Sequence, residues 1–208
     1  MPNLINASTS SGLVTSADTS GTIELQSNGT TKLTVSSSGV NIGQMNGGAI
    51  TSGTVNGGAA NPLSGGTSVD FTSIPSWVKR ITVMFSGVST NSTSALLVQI
   101  GSSGTPVNTG YVGSVAGING ATTASATLSA GFNLNRVTVA ADNYQGNIVI
   151  TNLTGNTWTA SWTSSNQTTI TTVGAGQVTL SGTLNIVRFT SVTPDTFDAG
   201  SINILYEG

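Results

Sequence analysis

The chain has 208 residues, 5 of them Lys or Arg and 7 Asp or Glu, so charged side chains make up 6% of it against about 25% in an average soluble protein. It has no Cys and no His, which excludes a disulfide frame, a thiol nucleophile, thiolate or imidazole metal ligation, and a Ser–His or Cys–His dyad. A net charge of −2 gives no electrostatic footprint for nucleic acid or an anionic membrane surface, and no apolar run approaches the roughly 20 residues that span a bilayer.

Thr, Val, Ile, Ser and Gly dominate, with 27 Gly and about 30% Ser plus Thr. Most of these are poor helix formers; Thr, Val and Ile favour strands, while Gly, Asn and Ser supply turns. Apolar residues are 37% of the chain, more than a disordered chain carries. The composition predicts an all-β protein with a neutral polar surface, long enough to bury a sizeable core. The opening MPNLINASTS has no basic start followed by an apolar stretch, so no signal peptide is expected.

After a Ser/Thr-rich leader, Ile23 and Leu25 alternate with polar residues, and so do Leu33 and Val35. Asn28-Gly29 lies between them, and Asn-Gly favours the positive φ angles of a type I′ turn joining antiparallel strands. Val40 and Ile42 follow as a third short strand. So small a β-hairpin segment, residues 1–42, does not fold alone in water. It needs the rest of the chain or copies of itself, and in an intertwined homotrimer each apolar face buries against two others around an axis. Residues 43–66 are rich in Gly, Asn, Ser and Thr. They read either as a flexible linker or as a short shaft with Ile50 and Val55 on the axis.

Residues 67–208 carry denser strand signals. Val69 and Phe71 alternate, Pro75 interrupts, and Ile81, Val83 and Phe85 mark a strand buried on at least one face. Further runs lie at 96–100, 137–139, 148–150, 157–162, 168–173, 178–180, 184–189 and 202–206. Short strands separated by Gly, Asn and Ser predict an antiparallel, jelly-roll-like β-sandwich. The segments expected to display loops are 86–94, 101–111 and 152–166.

Serine is abundant but lacks a base. The only lysines are Lys32 and Lys79, and a Ser–Lys dyad requires a desolvated Lys. No Gly-rich loop is followed by Lys at phosphate-cradling spacing. No catalytic, cofactor-binding or metal residue is assigned, and no cofactor is expected. Asp195 and Asp198 in TPDTFDAG read as a turn opened by Pro194-Asp195 and relaxed by Gly200, or as part of a Ca²⁺ site. Trp158 and Trp162 share one face of a strand. Buried, they anchor a core; exposed, they form a platform for sugar rings, and Trp158, Trp162, Asn156 and Asn166 are then the candidate glycan contacts. Trp77 is read as a cover on the sandwich edge with a cation–π contact to Arg80.

Two stretches carry a resemblance. TSADTSGTIELQSNGTTKLTVSSSGVNI resembles an N-terminal segment of tail proteins and fibres of tailed bacteriophages. IPSWVKRITVMF, residues 74–85, together with FDAGSINILYE, residues 197–207, resembles a distal domain of phage tail fibres and related appendages. The resemblance implies a virion structural protein and homotrimer. It would attach to tail or capsid proteins through residues 1–42 and contact a host-surface glycan or protein with its β domain. It implies no catalytic residue, no nucleic-acid partner and no membrane insertion. The short spacing between hairpin and domain makes any fibre short. A capsid decoration or head-fibre protein that cements the shell is the alternative.

Overall fold

The computed structural model describes residues 23–27, 30–36, 39–42, 61–63, 65–135 and 142–208. These residues include no helix, and their strand pairings are antiparallel. The chain divides into two units, Met1–Thr51 and Ser52–Gly208.

In the first unit β1 (Ile23–Ser27), β2 (Thr30–Ser36) and β3 (Gly39–Ile42) form one sheet in that order. This is the strand set that alternation predicts; the Asn28-Gly29 turn lies outside the described residues. The registers set Ile23 beside Val35 and Val35 beside Val40, and Leu25 beside Leu33 and Leu33 beside Ile42.

The second unit begins with β4 (Asn61–Pro62), β5 (Ser68–Thr72), β6 (Arg80–Thr90), β7 (Leu96–Ser102) and β8 (Thr105–Pro106). Then follow β9 (Val112–Asn119), β10 (Thr122–Thr127), β11 (Phe132–Asn133) and β12 (Tyr144–Thr154). It closes with β13 (Thr157–Asn166), β14 (Ile170–Thr179), β15 (Leu184–Ser191) and β16 (Phe197–Glu207). An eight-stranded sheet runs β10-β9-β14-β13-β12-β6-β16-β4, and a second runs β11-β7-β15-β5 with β8 paired to β7. Early and late strands nest, β6 with β16 and β7 with β15, as in a jelly-roll wrap.

The core lies between the sheets. On β6, Ile81, Val83 and Phe85 point inward while Met84 is exposed, the period-2 pattern of a half-buried strand. Phe85 meets Phe189 of the opposite sheet with ring centroids 5.6 Å apart, and Phe132 meets Trp162 at 6.0 Å.

Several boundaries differ from the sequence expectation. Pairing in this unit starts at Asn61–Pro62, and Leu63 is buried with its N–H donated to the Gly200 carbonyl at 2.9 Å. The tail of the Gly/Asn/Ser/Thr segment is therefore built into the sheet. The runs at 168–173 and 178–180 are one strand, β14, because its glycines are structural: a Cβ on Gly174 would lie 2.0 Å from the Trp162 ring. The β9–β10 hairpin carried no predicted run. The run at 137–139, Ile50 and Val55 lie outside the described residues.

Candidate functional site

Trp158 and Trp162 are both 4% exposed, on the inner side of β13. The alternation that puts them on one side also packs them against the core, so they are not an exposed sugar platform. Asn156 sits in the turn after β12, where its carbonyl accepts the Leu180 N–H at 3.0 Å. Asn166 ends β13 and is buried. Its Oδ1 accepts the backbone N–H groups of Thr168, Thr169 and Ile170 at 3.1, 3.0 and 2.8 Å. Its Nδ2 donates to Asp142 Oδ2 at 3.0 Å and to Thr168 Oγ1 at 2.9 Å. Every polar atom of that amide is spent on the turn into β14 and on Asp142. The two asparagines flank opposite ends of a ten-residue strand, about 30 Å apart at a strand's rise. The structure does not bring the four residues together as one site.

The carboxylates follow the same rule. Asp142 also accepts the Tyr144 hydroxyl at 3.2 Å. The cavity beside it is about 10 Å³, room for one water and not for a sugar ring. Asp195 is buried and accepts the Ser94 N–H at 2.9 Å, stapling the segment before β7 to the turn before β16. Asp198 is exposed, and no group of three or more acidic ligands gathers among the described residues. Lys79 is exposed, its Nζ 3.4 Å from Asn152 Oδ1, so the desolvation a Ser–Lys dyad requires is missing there. Trp77 is partly exposed, its ring partner is Tyr206 at 5.9 Å, and Arg80 pairs with Glu207 at 3.7 Å.

Two of the three expected display loops are mostly strand. Residues 86–90 belong to β6, where Ser89 and Thr90 are buried. Residues 101–111 turn back on β7 through Ser103 and Gly104, φ +55° and +75°, the two positive angles of a type I′ turn. Residues 152–166 are the end of β12 and the whole of β13.

Sequence reasoning missed two anchors. Tyr111 is buried against Phe132, ring centroids 4.9 Å apart. Its hydroxyl accepts the Ile100 N–H at 2.9 Å and donates to the Val107 carbonyl at 3.2 Å. Burial pushes that hydroxyl well above the usual tyrosine range, and the Ile100 backbone bond offsets part of the rise. Arg188 on β15 grips Asp70 on β5 with two bonds of 2.7 Å. The Asp70 hydrogen bond raises the Arg188 pKa, with partial burial pulling the other way. The facing of β5 and β15 that makes this pair was not readable without the register.

Among the described side chains of the first unit, the apolar ones are open to solvent. Ile23, Leu25 and Val35 are 58%, 48% and 36% exposed. Comparison with models of known families, with curated proteins and with solved structures finds no match. The two phrases that carry the phage resemblance are neighbours in space. β6 and β16 pair from Ile81 with Tyr206 to Phe85 with Ile202, although about 120 residues separate them in the chain.

Proposed function

We propose that the chain is a structural protein of a virus particle, made to assemble and to bind rather than to catalyse. More particularly, it is a short trimeric fibre of a tailed bacteriophage. Residues 1–42 attach it to the particle, and the β-sandwich of residues 67–208 contacts the host surface. The observation that carries this reading is the apolar side of the N-terminal sheet. Ile23, Leu25 and Val35 alternate as core residues do, yet they are 58%, 48% and 36% exposed. Burying such side chains stabilises by about 1.5–3 kcal/mol each, and two further copies around an axis supply the cover. The neutral, hydroxyl-rich surface supports the same reading. It offers many weak contacts to a glycan, and three copies multiply them by avidity.

Native mass spectrometry of the full chain is expected to give three times the chain mass, and Leu25→Arg to shift the population to single chains. A stable monomer of the unaltered chain would sink the proposal. Gold-labelled antibody on particles is expected to decorate the tail; labelling spread over the capsid would replace the fibre with a decoration protein.

A further inference from the structure

The eight-stranded sheet has an outer side with an unusual makeup. The registers across β9, β14, β13, β12, β6 and β16 define it row by row. The row through Arg80 and Glu207 forms one rim. Beyond it, from the row through Thr82 to the row through Ser86, every outward residue is uncharged. Among the described residues of this unit seven large apolar side chains are exposed, and four of them, Met84, Val112, Ile118 and Val173, stand on this side. A shallow groove of about 170 Å³ runs beside Met84, between Ser86 of β6 and Ser201 of β16. The other sheet differs: its outer side carries the Asp70–Arg188 pair.

We infer that this charge-free face is where copies of the chain meet along the head; the inference rests on the three-fold reading above. Seven strands at about 4.8 Å spacing and the five residues from the Thr82 row to the Ser86 row at about 3.3 Å rise give about 550 Å², the larger part of the roughly 800 Å² that each partner contributes to a standard stable interface. No ionised group need be stripped of water when the face is covered, which removes the largest cost of association. Ser and Thr hydroxyls are donors and acceptors at once, so the same surface hydrogen-bonds to itself. A neutral face is matched by another neutral face, and the chain offers itself at the highest local concentration, because the N-terminal sheets already hold three copies together.

The chain has no Cys, so single cysteines report cleanly. Met84→Cys, Thr163→Cys and Val173→Cys of the full chain are compared with Thr72→Cys on the outer side of β5, using a maleimide probe and native mass in parallel. At three-fold mass the first three are expected to label at least about tenfold more slowly than Thr72→Cys. Should a cysteine variant fail to fold, Val173→Arg against Thr72→Arg tests the same face by the concentration at which the trimer dissociates. A rise of about tenfold for the first alone is expected. Three-fold mass with rapid labelling and no effect of Val173→Arg overturns the face but leaves the trimer. Monomer mass overturns both. Slow labelling in a monomer means that the chain covers its own face, and also overturns the inference.

Discussion

The same alternating code has opposite outcomes in the two units. On β6, Ile81, Val83 and Phe85 are almost fully buried because a second sheet lies over them. On β1, Ile23 and Leu25 follow the same spacing and are about half exposed. Period-2 alternation names the face that seeks cover; it does not provide the cover. In the second unit the chain is long enough to fold back on itself. In the first, the described residues make a single three-stranded sheet.

The sharpest way to break this comparison is to make the same truncation in both units. Phe189, fully buried against Phe85 and Phe197, is expected to lose about 3–5 kcal/mol on change to Ala, read from the urea midpoint. Ile23→Ala is expected to leave the sandwich transition unchanged within about 0.5 kcal/mol and to weaken only the proposed trimer. An equal loss in both, in dilute protein, would erase the distinction between covered and uncovered faces.

A smaller effect tests the junction of the two phrases. Gly200 interrupts the β6–β16 register at φ +100°, and a Cβ there would lie 2.5 Å from the Val88 Cα. Gly200→Ala is expected to cost about 3 kcal/mol, since strain and backbone overlap add. Gly155→Ala, at φ +51° in open space, carries strain alone and is expected to cost about 1 kcal/mol. Equal costs would mean that the backbone at Gly200 moves aside freely.

The all-β class, the three N-terminal strands and the main sandwich strands were legible because Val, Ile and Phe alternate there. β9 and β10 were not, because Ala, Ser and Thr fill β10, and in β9 Val112, Val115 and Ile118 recur every third residue instead of every second. The one usable mark was Gly120, which opens the two-residue Gly120-Ala121 turn at φ +58°. The spacing of Trp158 and Trp162 gave their shared side but not which side faced in; that depended on Phe132 and Gly174, far off in the chain. Asn166 was legible as polar and near a strand end, and an Asn followed by Gln-Thr-Thr is a recognisable side-chain-capped turn. It was weighed as a sugar contact because nothing local counts how many of its hydrogen bonds the backbone will claim.

The mildest test concerns Tyr111, whose hydroxyl ties the β7–β8 return to the core. Tyr111→Phe keeps the ring against Phe132 but leaves the buried Ile100 N–H without that acceptor, an expected loss of about 1–2 kcal/mol at neutral pH. Its pH dependence separates this anchor from an ordinary packing residue. Tyrosine in the unfolded chain loses its proton near pH 10, whereas burial keeps the folded Tyr111 protonated beyond that. The raised pKa therefore contributes stability that is fully present below about pH 10 and is lost as pH rises further, because the unfolded state then holds fewer protons. The native chain is expected to lose stability above about pH 10 with a slope steeper than that of Tyr111→Phe by at most about 1.4 kcal/mol per pH unit, one proton's worth. Parallel slopes for the two proteins in alkaline urea titrations would show that the hydroxyl is solvated when it ionises, and that this corner opens before the sheets part.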